Sequence, residues 1–223
     1  MFTLVTAVSV CPAWSQIVDF QVETIQGDGR KANVISINFL ERYFGSQIFV
    51  ELTHGSIINE PFFCFPLLNA PSSLAIDAFP QLRFDTYLAQ GAVTTDAPGY
   101  EGNISVLGGA VNIVVPGPTG SIAAIFDDPS TIYIAYAPSA ANTIVDRQDF
   151  TVAQIGFTDD AQGTFTYFGL TASERFISDS SDFTTGIDTV EYEIRDGAIV
   201  PVPEPASAAL LIGLGLVFRH RAC

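Results

Sequence analysis

Two stretches of this chain alternate in step with an extended backbone. In "VDFQVE" the apolar Val18, Phe20 and Val22 interleave with Asp19, Gln21 and Glu23; in "TVEYEIR" Val190, Tyr192 and Ile194 interleave with Glu191, Glu193 and Arg195. Successive side chains of a strand point to opposite faces, so this period predicts strands with one face buried and one in water. "NVISINF", "IFVEL", "LRFDTYL", "IYIAY" and "GTFTYF" carry weaker or two-sided versions, rich in β-branched and aromatic residues that suit a pleated surface. Between them lie "QGDGRK", "NAPSS", "TDAPGYEGN", "VPGPTGS", "DDPS" and "DDAQG", whose Gly, Pro, Asn and Asp are turn formers. No long capped helical period occurs in the body; "SIAAIF" and "AANTIVDR" are expected to make a helical turn or two. The pattern predicts an all-β fold, an antiparallel β-sandwich or jelly roll of about 8–11 strands. It forms one domain over residues 16–200, without internal repeats.

Composition agrees with a packed domain. Of 223 residues 48% are hydrophobic and 15% charged, enough apolar surface to bury a core. Basic residues number 9 against 24 acidic, a net charge of −15. Such a surface repels phosphate backbones, which argues against nucleic-acid partners. The three cysteines stand far apart: Cys11 and Cys223 near the ends, and Cys64 in "PFFCFP", where it reads as a small buried hydrophobe. With both ends removed, the domain holds one cysteine and no internal disulfide.

The ends carry a different pattern. Residues 1–15 form an apolar run closing on Ala13-Trp14-Ser15, as a signal peptide and its cleavage site would. No Lys or Arg precedes the run, so either the start lies upstream of Met1 or the signal is atypical. The final residues 201–223 place Pro203-Glu204-Pro205 ahead of an apolar stretch at 206–218 and the basic cluster Arg219, His220 and Arg221. That stretch is shorter than the roughly 20 residues of a comfortable bilayer span. Its flanking arginines suit the cytoplasmic side of a membrane.

This carboxy-terminal arrangement resembles a PEP-CTERM sorting signal. The resemblance implies an exported protein, anchored in the inner membrane through a short transmembrane helix and processed near Pro203-Glu204-Pro205 by an exosortase. A place at the cell envelope, the cell surface or in the extracellular matrix, with extracellular polysaccharide as a partner, follows from the same resemblance. The body is also similar, over "AFPQLRFDTYLAQG", "IFDDPSTIYIAY" and "FTVAQIGFTDDAQGTFTYFGLTAS", to a group of secreted β proteins common in planctomycetes. That likeness implies a fold and no activity.

Motifs for catalysis are scarce. HExxH, G-x-S-x-G, P-loop and G-x-G-x-x-G patterns are absent. His54 in "LTHGS" is expected at a strand end, as a surface histidine. The acids are too many to nominate a catalytic pair, and Glu191 and Glu193 read as a solvated face. The chain is therefore expected to be non-enzymatic. No cofactor is implied, except that Ca²⁺ could use the oxygen ligands of Asp127, Asp128, Asp159, Asp160, Asp179 and Asp182 in predicted loops. Phe84, Tyr87, Tyr100, Tyr133, Tyr136 and Tyr167 offer faces for sugar stacking. However, 18 Phe against one Trp favours core filling. The alternative to a plain surface protein is a carbohydrate- or Ca²⁺-binding sandwich module.

Overall fold

An Asp-Gly pair starts the architecture. Strand β1 (Ile17–Gly27) reverses at Asp28-Gly29, with φ of 52° and 71°, and pairs antiparallel with β2 (Arg30–His54). Positive φ at both central positions is the hairpin turn whose twist matches the strands. The structure, a computed structural model, describes residues 17–59, 69–102, 104–108, 115–116, 122–123, 128–138, 144–172 and 185–202. The expected signal peptide, the sorting motif Pro203-Glu204-Pro205, the apolar stretch 206–218 and the cluster Arg219, His220 and Arg221 lie outside the described residues. So do Asp127, Asp179, Asp182 and all three cysteines. Among the described residues, no helix is long and apolar enough to cross a membrane.

Strand β2 organises the rest. It joins "NVISINF" and "IFVEL" in one run of 25 residues. Further along the chain come β3 (Ile57–Ile58), β4 (Tyr87–Gly91), β5 (Ile104–Gly108), β6 (Val115–Pro116), β7 (Ile122–Ala123) and β8 (Thr131–Pro138). The last are β9 (Ile144–Thr158), β10 (Gln162–Ala172), β11 (Thr185–Arg195) and β12 (Ala198–Pro201). One flank of β2 is covered by β9 and then β8, the other by β1 and then β10. Outside these, β3 and β4 pair with β9, β5 with β8, β11 with β10, and β12 with β11 across a second Asp-Gly turn.

The register shows how the sheet closes. Thr158 of β9 lies opposite Arg30, while Gln162 of β10 lies opposite His54. Straight, β2 would be about 80 Å long at roughly 3.3 Å per residue, yet a three-residue turn joins neighbours of its two ends. Therefore β2 doubles over. Register shifts along its β9 flank between Ile35 and Arg42, and on its β10 flank between Tyr43 and Gly45, mark the bend. Extra residues of this kind bend a strand and increase its twist. A side chain at Gly45 would stand 2.3 Å from the Tyr136 carbonyl oxygen, so the inner curve admits only glycine.

The product is all-β and antiparallel, as the alternation predicts. Ten of the twelve described strands make one continuous sheet folded on itself, in place of the two separate sheets of a simple sandwich; β6 and β7 form a ladder of their own. Ile35, Ile37 and Phe39 from the first half of β2 meet Ile48, Val50, Ile132, Ile134 and Phe165 from the other layer in one buried cluster. The Phe20 ring packs 5.2 Å from both Tyr167 and Tyr192.

One buried amide ties the layers at the seam. Asn33 Nδ2 donates to Gly197 O (2.9 Å) and Ile155 O (3.3 Å), while its Oδ1 accepts from Ile199 N (3.0 Å) and Thr24 Oγ1 (2.9 Å). Asn33 is fully buried, and all four hydrogen-bonding positions of its amide are used.

Some expectations need correction. "LRFDTYL" is strand only from Tyr87; Pro80–Phe84 form a 3₁₀ helix, where proline suits the first turn. The described part of "AANTIVDR" is strand, because Ile144 and Val145 pair with Tyr43 and Arg42. Ile122–Ala123 of "SIAAIF" are likewise strand. A six-residue helix, α1 (Ser73–Ala78), lies in the segment opened by "NAPSS". Ser72 caps it by accepting from Ala75 N (3.2 Å), and Asp96 accepts from Ser73 N (2.8 Å).

Candidate functional site

The outer face of the layer formed by β8, the second half of β2, β10 and β11 breaks its own polar pattern. In β2, Gln47, Phe49 and Glu51 alternate with the buried Ile48 and Val50. In β10, Thr164, Thr166 and Phe168 alternate with the buried Phe165 and Tyr167, and in β8 Thr131 and Tyr133 alternate with Ile132 and Ile134. Three aromatic rings thus stand on the wet phase. Register brings them together: Phe49 is opposite Tyr133 on one side and Thr166 on the other, and Thr166 is opposite Glu191.

The rings make a strip. Phe49 and Tyr133 have centroids 4.3 Å apart with planes at 37°, and Phe168 meets Phe49 edge-on at 5.3 Å. All three are half-buried. They floor an open groove of about 570 Å³ rimmed by Thr131, Thr164, Thr166, Glu51 and Glu191. Phe168 also walls an apolar hollow of about 220 Å³ that runs beside Ala135 and Leu170 to the Gly45 bend. Three adjacent strands place the strip across about 10 Å, the length of two sugar rings laid end to end. Its chemistry is apolar faces flanked by hydroxyl and carboxylate groups that accept hydrogen bonds.

The aromatics named from sequence divide. Tyr87, Tyr136 and Tyr167 are buried in the core. Tyr136 donates to Val152 O at 2.8 Å, and Ser46 Oγ lies 2.6 Å from the hydroxyls of both Tyr43 and Tyr167. Burial pushes the phenols of Tyr43, Tyr87 and Tyr136 far above their ordinary value. Tyr133 reaches the strip, Tyr100 is half-buried elsewhere, and Phe84 lines a separate cleft. Phe49 and Phe168 were not among the sequence candidates. The available signal was an aromatic occupying the polar phase of an alternating run.

The described aspartates among those candidates, Asp128, Asp159 and Asp160, form no shared site. Asp128 closes its own loop, accepting from Ser130 N and Ser130 Oγ, both at 2.8 Å, and these bonds hold its carboxyl below the usual range. Asp160 Oδ2 lies 3.2 Å from His54 Nε2 at the surface. A hydrogen bond from Thr158, ahead of the histidine, lowers the Asp160 carboxyl. Asp159 sits beside Asp160 in the same turn, where its amide donates to Gly29 O. Among the described residues no three His, Cys, Asp or Glu side chains converge to hold a metal ion. Glu191 is exposed and Glu193 is half-buried, where it pairs with Arg195.

Fold and site together define an all-β antiparallel protein with an aromatic strip on one open sheet face. The chain matches no known protein family, no curated protein and no solved structure.

Proposed function

We propose that this chain is a non-enzymatic, exported surface protein whose open sheet face holds a neutral polysaccharide. The observation that carries the reading is the Tyr133–Phe49–Phe168 strip on a sheet face where threonines and glutamates rim it. Sugar rings present apolar C–H faces to aromatic planes and hydroxyls to the rim, so this mixture matches them better than it matches a purely apolar partner. The surrounding negative charge disfavours polyanions at long range and leaves uncharged chains unaffected. Delivery rests on the tail: Pro203-Glu204-Pro205, the apolar stretch 206–218 and Arg219, His220 and Arg221 serve as a PEP-CTERM sorting signal. In this reading an exosortase removes it after transient anchoring in the inner membrane.

Two measurements test the proposal. Retention of the full chain on insoluble neutral glucans and galactans should fall about tenfold in Phe49→Ser and Tyr133→Ser, the loss of roughly 1.4 kcal/mol of binding, with melting temperature nearly unchanged. No retention by wild type on any of them sinks the binding half. For delivery, Pro203→Ala/Pro205→Ala should accumulate unprocessed in the membrane fraction; wild-type processing and location in that variant sink the sorting half.

A further inference from the structure

Beside the aromatic strip the outer sheet face drops away. In register, Gln47 of β2 stands between Ala135 of β8 and Phe168 of β10, and Leu170 of β10 lies opposite the Gly45 bend. Ala135 carries a methyl where Tyr133, in the same phase of β8, carries a ring. Gly45 cannot fill the dip, since an added Cβ would stand 2.3 Å from Tyr136 O and 3.2 Å from the Ala137 Cβ. The result is the hollow of about 220 Å³, which shares Phe168 with the groove over the strip. Sites that enclose a whole small molecule run to roughly 300–1,000 Å³. The hollow therefore suits one branch of a ligand already held in the groove.

The walls select what can enter. The described lining carries no charged side chain, in a molecule of net charge −15, so nothing there would offset an anionic substituent. Its buried hydroxyls are already used: Ser46 Oγ lies 2.6 Å from the hydroxyls of Tyr43 and Tyr167, and Tyr136 donates to Val152 O at 2.8 Å. A sugar hydroxyl pushed against Ala135 and Leu170 would give up water for no partner, whereas a methyl there is favoured. Gln47 differs from the rest of the lining. Its side chain is exposed, and its amide brings two N–H donors to the mouth of the hollow. The hydroxyl bonds beneath hold the wall in place, so little ordering is needed when a ligand enters.

We propose that this hollow is an acetyl subsite of the polysaccharide face, with the methyl packed on Ala135 and Leu170 and the carbonyl oxygen accepting from the Gln47 amide. The assignment rests on the carbohydrate reading of the Tyr133–Phe49–Phe168 strip and adds a specificity to it. An acetyl group combines what the lining can answer: an uncharged apolar end and, beside it, one strong acceptor. A lone methyl would leave the Gln47 donors unused, and a carboxylate would bring a charge without a counter-charge. Sugars carry acetyl groups as esters and as amides, and the hollow addresses the part that both share.

The test titrates the full chain, followed by calorimetry, with two matched pairs of oligosaccharides. One pair is O-acetylated glucomannan oligosaccharide and the same material deacetylated with alkali; the other is chitopentaose and cellopentaose. Within a pair the acetylated member should bind about tenfold more tightly, the order of one buried methyl and one net hydrogen bond. Preference in the first pair alone identifies an ester as the group bound, and in the second alone an amide. Ala135→Leu fills the hollow and Gln47→Met removes the donor, and each should cut the preference to about threefold or less. Both positions lie on the outer face, so these variants should melt like wild type. Phe49→Ser, in contrast, should weaken both members of a pair and keep their ratio. Equal binding within both pairs overturns the acetyl subsite and leaves the strip standing, whereas binding to none of the four removes the reading of the strip and the subsite with it. A preference that survives both Ala135→Leu and Gln47→Met also overturns the subsite.

Discussion

Tyr43, Tyr87 and Tyr136 carry their hydroxyls into a dry interior. Burial favours the neutral phenol, so the folded-state value of each lies above the unfolded value of about 10. The linkage follows: this contribution to stability is complete below pH about 10 and is lost as pH climbs toward the folded values. Phenolate absorbance from these three should therefore appear together with the collapse of near-ultraviolet dichroism in an alkaline titration. Ionisation of all seven tyrosines while the dichroism persists would contradict the burial described. Which tyrosines are buried could be anticipated only in part. Tyr136 and Tyr167 sit on the apolar phase of their strands, whereas Tyr87 is covered because β4 lies against β9, a pairing no local pattern announces.

At the level of elements, Asn33 ties β2 to three other strands and a turn: it bonds the backbone of β9, the Asp196-Gly197 turn and β12, and the Thr24 side chain of β1. Asn33→Leu removes those bonds and leaves the Ile199 amide without its partner in the core. The expected loss is about 2–4 kcal/mol in urea unfolding; a loss below about 1 kcal/mol would mean the seam is held by apolar packing alone. Local sequence made β1 and β11 plain, because each alternates cleanly with one face in water. It left β9 unnoticed as a strand, since Phe150 to Phe157 are buried on both faces and show no alternation. Nor did it join the halves of β2, because "LERYFGSQ" between them interrupts the pattern where the strand bends. The candidate strip was legible in principle, as Phe49, Phe168 and Tyr133 each stand out of phase, but their meeting depends on register across three strands.

For the molecule as a whole, the last described strand ends at Pro201, paired with Tyr192, and the Pro203-Glu204-Pro205 motif begins two residues later. Among the described residues the buried cluster runs through Ile199, ahead of the motif. A chain ending at Val202 should therefore melt within about 2 °C of the full chain, a shift below 1 kcal/mol for a protein of this size. A chain ending at Asp196 lacks Gly197 and β12, and with them the Gly197 O and Ile199 N bonds to Asn33, and should melt far lower. Equal melting of the two in calorimetry would remove β12 from the account of stability.

The doubled course of β2 has a kinetic consequence. Neither layer can be completed first, because each needs a half of the same strand and the bend between them. Residues 30 and 54 must approach while β9 and β10, more than a hundred positions downstream, arrive on either flank. Pairings so distant along the chain make for slow, concerted assembly, on the order of milliseconds to seconds. A polypeptide emerging through a narrow translocation channel would thus stay threadable until its final strands were free, and only then lock.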